Sequence, residues 1–339
     1  MRKKTLFPRL FSAFFLRFLL FALFPSCGQR SAEATVFAMD PAAVLRLEGE
    51  GAEEVLPLLT AELDRLNGLL DAEGETLSAL RRGSSVRDPE IVSLLRAAAE
   101  VSEKTGGAMD VTVNPAVEAW GFRSGDYRVP QEEELRSLRE KTGWESISFH
   151  GGAVSLPEGF SLTLGAVAKG YAGDRLREIA EENGIRRGVL SLGGNVILLG
   201  DKAAGKDWSV ALRAPEGGYA LTLSLSDTSA VTSGSYERFF EKDGKRYHHI
   251  LDPETLSPAE SGLVSATVVA RNGFLADALS TALFVMGPER AADYWRTYGE
   301  KDAFEILLLT EDHRVIASRG LVSRIVQYGE GWDDLVIVE

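Results

Sequence analysis

An acidic and a hydroxyl side chain stand four residues apart in an otherwise apolar, alanine-rich segment, residues 276–284. Asp277 and Thr281 are at positions i and i+4, so on an α-helix they project from the same face. A carboxylate with a hydroxyl is a pair of hard oxygen ligands of the kind that Mg²⁺ prefers. The pattern also fits a structural role, in which Asp277 caps or interrupts a buried helix and Thr281 bonds back to a carbonyl.

Two glycine-containing segments could bring the backbone close to a ligand. Residues 164–174 are mostly small and lead into a helix, where free N–H groups and the charge of Lys169 would suit a phosphate. Further along the chain, Gly193 and Gly194 follow a predicted strand directly and precede Asn195. Each segment fits an ordinary tight turn as well as a ligand site, and neither matches the dinucleotide fingerprint or the P-loop consensus.

Two later segments carry basic, hydroxyl and imidazole groups. One contains Ser233, Gly234 and Arg238, whose guanidinium suits a phosphate or a flavin carbonyl; an edge strand with aromatic side chains in the core explains it equally well. The other holds His248 and His249, and a neutral histidine can accept a proton. Neighbours on a strand face opposite ways, so at most one of the two histidines is expected to act.

The elements that must position these residues follow from hydrophobic periodicity. Helices are predicted over residues 53–70, 88–104, 132–141 and 172–182. Strands are predicted over residues 146–149, 153–156, 188–191, 196–199, 209–213, 220–225, 265–270, 303–309 and 315–318. Helices, antiparallel hairpins and the lack of a repeat or a Pro/Gly-rich linker predict one large α+β domain over residues 37–339, with antiparallel or mixed sheets and packed helices.

The N-terminal segment is typical of an export signal. Basic residues precede an apolar run over residues 10–24, whose uninterrupted stretches are too short to span a bilayer. Cys27, the only cysteine, follows at the end of the run. This predicts a lipoprotein signal over residues 1–26, lipidation of Cys27, a tether over residues 27–36, and anchoring on the periplasmic side of a bacterial inner membrane or at the cell surface. An ordinary cleaved signal with an incidental cysteine is the alternative.

The charge balance excludes one class of partner. The chain has 37 Lys and Arg against 50 Asp and Glu, a formal net charge of −13 at pH 7. The predicted leader contains only basic residues among its charged ones, so the mature chain is more acidic still. Nucleic-acid binding is therefore not expected, because it requires a clustered basic surface.

Taken in order, these segments resemble the ApbE-type FAD:protein FMN transferases, exported flavin transferases of bacteria. The resemblance includes Thr-Gly-Gly-Ala-Met-Asp-Val-Thr-Val-Asn-Pro at residues 105–115 and Trp-Gly-Phe at residues 120–122, and it extends over about residues 32–335. It implies Mg²⁺-dependent transfer of FMN from FAD, the substrate, to a threonine or serine hydroxyl of an exported acceptor protein, with release of AMP.

The resemblance also implies a role for each candidate residue. The backbone carbonyl of Ala166 and the side chains of Asp277 and Thr281 would hold the metal, so that Asp277 is counted as catalytic. His249 would be the base for the acceptor hydroxyl. The residues expected to bind FAD are Lys169, Asp174, Gly193, Gly194, Asn195, Ser233, Gly234 and Arg238.

The chain departs from the family pattern at two notable positions. Arg81 stands where an asparagine that helps to hold FAD is usual, and Leu256 replaces a usual glycine. Two other functions stay open on the sequence: an Mg²⁺-dependent FAD pyrophosphatase that uses water as acceptor, and a non-catalytic lipoprotein that binds FAD. The products distinguish them, because only a transferase leaves flavin covalently attached to protein.

Overall fold

The computed structural model describes residues 31–39, 42–202 and 205–339. The predicted signal peptide, Cys27 and the first part of the predicted tether lie outside these ranges. Within them, no helix is long and apolar enough to cross a membrane. The helices are α1 (Ala52–Leu69), α2 (Glu75–Arg81), α3 (Pro89–Lys104), α4 (Asn114–Ala119), α5 (Glu132–Arg139), α6 (Ala168–Glu182), α7 (Gly273–Tyr298) and α8 (Arg319–Val322).

Most of the strands lie between α6 and α7. They are β1 (Ser31–Val36), β2 (Ala43–Glu48), β3 (Ser148–His150), β4 (Ala153–Ser155), β5 (Arg187–Leu192), β6 (Asn195–Leu199), β7 (Trp208–Arg213), β8 (Tyr219–Leu225), β9 (Ser229–Gly234), β10 (Phe239–Lys242), β11 (Lys245–His248), β12 (Leu251–Asp252), β13 (Ser257–Pro258), β14 (Leu263–Ala270), β15 (Phe304–Thr310), β16 (Arg314–Ser318), β17 (Ile325–Tyr328) and β18 (Asp334–Val338).

A nine-stranded sheet is the centre of the fold, in the order β1-β2-β5-β6-β9-β14-β15-β16-β18. Its neighbours are antiparallel except for β16 and β18, which are parallel. Helices α1, α6 and α7 pack on one face, and the small sheet β17-β8-β7 packs on the other. Successive side chains of a strand point to opposite faces of the sheet. In β15, Leu308 therefore belongs to the core between sheet and helices, whereas Leu307 and Leu309 belong to the core between the two sheets.

A third apolar cluster stands apart from these two cores. We call residues 113–139 and 239–258 the aromatic lobe. Its ring stacks include Phe240 on Tyr247, with centroids 5.2 Å apart, and Tyr127 on Phe240 at 5.1 Å. Trp120 lies 5.4 Å from Tyr247 and is fully enclosed. Such offset aromatic contacts stabilise a small lobe whose helices and strands are short.

The fold confirms the α+β prediction, and each predicted helix and strand has a counterpart in the structure, although boundaries shift. α6 begins at Ala168 rather than residue 172, because Gly170 and Gly173 are helical residues in close packing rather than loop residues. Residues 31–36, assigned to the tether, form the edge strand β1 paired with β2. The alternating Ala32, Ala34 and Val36 that bury one face of β1 are a weak strand signal, since alanine has low β-propensity.

Candidate active site

The N-terminal turns of α6 and α7 touch without side chains between them. A Cβ atom on Gly170 would lie 2.1 Å from the carbonyl oxygen of Gly273 and 2.7 Å from the Cβ of Asp277. A Cβ atom on Gly273 would in turn lie 2.8 Å from Oδ1 of Asp174. These four residues define what we call the α6–α7 junction. Only glycine permits this approach of two backbones.

The carboxylate of Asp277 is buried at this junction, with the residue 3% exposed. Its Oδ2 accepts a hydrogen bond from the Gly170 amide at 2.8 Å. In a regular α-helix the Gly170 amide would instead donate to the carbonyl of Ala166, four residues earlier. The next amide, that of Tyr171, follows this rule and donates to the Val167 carbonyl at 3.0 Å. The redirected amide leaves the partly exposed Ala166 carbonyl available to another partner.

Hydroxyl groups from β9 and α7 continue the polar surface. Ser233 Oγ lies 2.8 Å from Ser280 Oγ and 3.2 Å from Thr281 Oγ1. Ser280 Oγ also donates to the carbonyl of Asp277 at 2.8 Å. The i,i+4 spacing thus places Asp277 and Thr281 along one helix, as expected. Sequence reasoning missed Ser280, whose adjacency to Thr281 was the only signal for it.

The donors at this place fit a hard divalent cation. One carboxylate, one hydroxyl and one backbone carbonyl would leave several coordination positions for water and phosphate, which is the usual arrangement for Mg²⁺. Over residues 31–39, 42–202 and 205–339, no group of three or more His, Cys, Asp or Glu side chains is placed to hold a metal ion. The assignment of Asp277, Thr281 and the Ala166 carbonyl to a metal stays a prediction.

His249 is held through its backbone neighbour Arg238. Both the amide and Nδ1 of His249 face the Arg238 carbonyl oxygen, at 3.0 and 3.1 Å. A carbonyl only accepts, so Nδ1 carries the hydrogen and Nε2 keeps its lone pair. Burial lowers the pKa of His249 to about 3, and the positive charges of Arg238 and Lys169 act in the same direction. The imidazole is therefore neutral at pH 7 and can accept a proton at Nε2.

The aromatic lobe fixes this histidine and the guanidinium beside it. The Phe122 ring meets the His249 ring edge-on, with centroids 6.5 Å apart. Arg238 Nη1 donates to the Phe122 carbonyl at 3.3 Å. The Trp120 indole donates to the carbonyl of Leu256 at 2.8 Å, which ties the two segments of the lobe together.

Leu256 is one of the two positions at which the sequence departs from the pattern that the resemblance implies. Its φ angle is +56°, in the left-handed region that glycine adopts without strain. The leucine side chain is nevertheless fully buried in the lobe. Leu256 thus adopts a backbone conformation that usually favours glycine.

His248 faces away from His249, as strand alternation predicts. Its Nε2 lies 3.1 Å from the Ala259 carbonyl, and its ring meets Phe284 edge-on with centroids 5.4 Å apart. It lines a separate surface depression together with Trp120 and Tyr247. His249, in contrast, contacts the candidate residue Arg238.

Lys169 connects the junction with the aromatic lobe. It lies next to Gly170 in α6, and its Nζ is 3.4 Å from the Gly165 carbonyl. Its charge also acts on the pKa of His249. Lys169 and Arg238 thus place two positive charges around the histidine, where an anionic ligand would be attracted.

Gly193 and Gly194 form the two-residue turn between β5 and β6, with φ angles of +54° and +101°. Such hairpin turns require positive φ at both central residues, so the glycines have a structural reason. Asn195 after them is 1% exposed, and its Nδ2 has no hydrogen-bond partner among the described residues. A buried amide without a partner is uncommon and is consistent with a ligand contact, although the FAD-binding role of these three residues stays a prediction.

Asp174 and Arg81 are used in structural contacts. Asp174 accepts the amides of Gly273 and Phe274 at 2.8 Å each, and its assignment to the FAD pocket stays a prediction. Arg81 forms a two-pronged ion pair with Glu118, at 2.9 and 3.1 Å, which joins α2 to α4. This contact gives Arg81 a structural role in the described residues.

Comparison with known proteins identifies the family. The model of the ApbE family matches residues 39–305. The FAD:protein FMN transferase of Treponema pallidum (strain Nichols) is 33% identical over 311 residues, which cover 86% of this chain and 84% of that protein. The enzyme of the same name from Escherichia coli (strain K12) is 32% identical over 265 residues, covering 71% and 75%.

Solved structures agree with the sequence relatives. The crystal structure of the ApbE protein from Thermotoga maritima superposes with a TM-score of 0.82 at 29% identity, covering 88% of this chain and 100% of that one. The flavin transferase ApbE from Vibrio cholerae gives a TM-score of 0.77 at 25% identity, with 88% and 100% covered. Family model, sequence relatives and fold agree, and the chain belongs to the ApbE family.

Proposed function

We propose that this protein transfers FMN from FAD to a threonine or serine hydroxyl of an exported acceptor protein, releases AMP and requires Mg²⁺. The observation that carries the proposal is His249, a neutral base whose Nε2 is an acceptor and which senses the charge of Lys169, the residue next to Gly170, whose amide binds Asp277. Lys169 links the two parts of the site. The names of the relatives, FAD:protein FMN transferase, support the same reaction.

The residues of the chain would divide the reaction as follows. The acceptor hydroxyl gives its proton to Nε2 of His249 while its oxygen bonds to the phosphorus of the FMN half. The bond from that phosphorus to the bridging oxygen breaks, and AMP leaves with the electron pair. Lys169 and Arg238 would stabilise the negative charge of the pyrophosphate during this displacement.

Ala166, Asp277 and Thr281 would hold the divalent cation, which when bound supplies neutralisation of charge on the phosphate oxygens. Binding of FAD would also change the pKa of His249. Part of the depression of the His249 pKa comes from Arg238 and Lys169, and a bound pyrophosphate would offset their charges. FAD binding would therefore raise the basicity of His249 when it is needed.

The exported location and the lipid anchor at Cys27 are part of the proposal. They are supported by the basic and apolar leader and by the position of the sole cysteine. The partners would then be FAD, an exported flavin-acceptor protein and the membrane that holds the lipid. A Cys27→Ala variant would be recovered in the soluble exported fraction, whereas the native chain would remain with membranes.

The decisive experiment incubates the chain without its leader, residues 28–339, with FAD and Mg²⁺, with and without a threonine-bearing flavoprotein domain. We expect a mass increase of one FMN on the acceptor, lost on chelation and absent when the acceptor threonine is replaced by valine. Free FMN and AMP formed regardless of acceptor would instead identify a pyrophosphatase. Intact FAD retained without AMP release would identify a flavin-binding protein.

A further inference from the structure

Asp174 is fully engaged with the N-terminus of α7. Its Oδ1 accepts the Gly273 amide and its Oδ2 accepts the Phe274 amide, both at 2.8 Å. The first amides of a helix have no partner within the helix, and the helix dipole favours a negative charge there. The carboxylate of Asp174, a residue of α6, therefore caps the N-terminus of α7 with both of its oxygens.

The contact between the two helices is reciprocal. Gly170 and Asp174 are four residues apart on α6, and Gly273 and Asp277 are four residues apart on α7. Asp174 accepts the amide of Gly273, and Asp277 accepts the amide of Gly170. Because the two links cross in opposite directions, they fix both the height and the rotation of the first turn of α7 against α6. Asp277 lies one turn after Gly273 on the same helix, so its position is fixed as well.

A buried arginine, Arg177, contacts the carboxylate of Asp174. Arg177 is 5% exposed, and its Nη1 lies 3.3 Å from Oδ1 of Asp174. Its Nη2 donates to Ser229 Oγ at 2.8 Å, and Nη1 also donates to the backbone carbonyl of Arg271. The guanidinium thus ties Asp174 to the start of β9 and to the residues that lead into α7.

We propose that Asp174, braced by Arg177, is a positioning residue that sets the place of Asp277 for a divalent cation and makes no contact with the flavin nucleotide. The inference rests on the proposed function, because it assumes that Asp277 ligates the cation. Groups that orient a metal ligand typically change metal affinity by about 10- to 100-fold when they are altered. They act on the nucleotide only through the metal.

The test is the FAD affinity of Asp174→Asn, measured by flavin fluorescence at a series of Mg²⁺ concentrations. We expect the Mg²⁺ concentration for half-maximal tightening of FAD binding to rise by about 10- to 100-fold, while FAD affinity at saturating Mg²⁺ equals that of the native chain. A loss of FAD affinity that persists at every Mg²⁺ concentration would make Asp174 a nucleotide contact and overturn the inference. An unchanged Mg²⁺ requirement would also overturn it.

A second variant separates positioning from simple loss of charge. Ser229→Ala removes a buried acceptor of Arg177 and alters no charged group. We expect a smaller increase of the Mg²⁺ requirement, of several-fold, in the same direction; no increase would assign the effect of Asp174→Asn to charge and overturn the bracing role. Glu178→Gln, an exposed change on the same helix, is the matched control. If the native chain bound FAD independently of Mg²⁺, this inference would be overturned, whereas the proposed function would be judged separately by the transfer of FMN to the acceptor.

Discussion

The α6–α7 junction and the aromatic lobe hold the two halves of the candidate site by different physical means. At the junction, backbone amides meet the buried carboxylate of Asp277 and the half-buried carboxylate of Asp174, so the position of Asp277 follows from main-chain geometry. In the lobe, the edge-on contact with Phe122 and a single backbone carbonyl hold His249, which stays partly exposed. Changes that break the backbone contact of the junction should therefore reduce stability, a change that removes only the charge of Asp277 should reduce metal binding, and changes in the lobe should separate chemistry from folding.

The largest expected effect is that of Asp277→Asn. The amide oxygen of asparagine can still accept the Gly170 hydrogen bond, so the fold should remain, but the negative ligand is lost. We expect FMN transfer to fall by about 10³-fold with little change in melting temperature. Thermal unfolding and transfer rates with excess Mg²⁺ check this, and full activity would remove Asp277 from the mechanism.

His249→Gln should leave FAD binding intact and slow transfer by about 10²-fold or more, because glutamine can accept a hydrogen bond but cannot take up the proton. Single-turnover rates and FAD affinity are the measurements. His248→Gln is the matched control, since that ring faces Phe284 and the Ala259 carbonyl. Equal slowing by both changes would contradict the assignment of the base.

The pH dependence should reflect the lowered pKa of His249. Since burial and neighbouring cations lower this pKa to about 3, the free protein keeps a neutral imidazole well below pH 6.5. We expect the acid limb of kcat/KM to lie far below pH 6.5 and that of kcat to lie higher, because bound FAD offsets the cations. Coinciding limbs near pH 6.5 would show that the lobe does not perturb His249.

Gly170→Ala tests the close contact of the junction. The added methyl group would collide with the backbone of α7, and we expect a loss of about 1–3 kcal/mol in the free energy of unfolding. Gly165→Ala is the control, because its Cβ would find only Thr163 Oγ1 at 3.6 Å. Denaturant titration measures both, and equal stability would mean that α6 and α7 are not locked together.

The smallest effect concerns strain in the lobe. At Leu256, whose φ is +56°, glycine should be more stable than alanine by about 1 kcal/mol, the reverse of the usual order. Leu251, buried in β12 of the same lobe, is not among the residues with positive φ and should keep the usual order. The measurement is the free energy of unfolding of Leu256→Gly and Leu256→Ala, and of the same two variants at Leu251. The comparison separates the effect of backbone strain from the effect of losing the leucine side chain.

Sequence reasoning succeeded where the signal was local. The i,i+4 spacing of Asp277 and Thr281 places both on one helix whatever the rest of the chain does. It misplaced the start of α6, because Gly170 and Gly173 are typical of loops, and only their partners make glycine necessary in a helix. The Cβ of Gly173 would lie 2.6 Å from Ile197 Cδ1 of the neighbouring strand, a contact that no window of sequence contains.

The side-chain roles were less accessible. The tautomer of His249 depends on the carbonyl of Arg238, eleven positions away, and the engagement of Asp174 depends on amides about a hundred positions away. Neither contact produces a pattern in the sequence, because every residue type other than proline offers the same backbone amide and carbonyl. Asp174 was therefore placed in the FAD pocket by resemblance alone.

The sequence by itself determined the acidic balance, the α+β organisation, the order of the family motifs and the helical pairing of Asp277 with Thr281, since these follow from composition and short-range periodicity. The tertiary structure decided which oxygen of Asp277 is engaged, which histidine nitrogen is free and how closely α6 and α7 approach. Those properties depend on burial and on hydrogen bonds between distant segments, which exist only after the chain has folded.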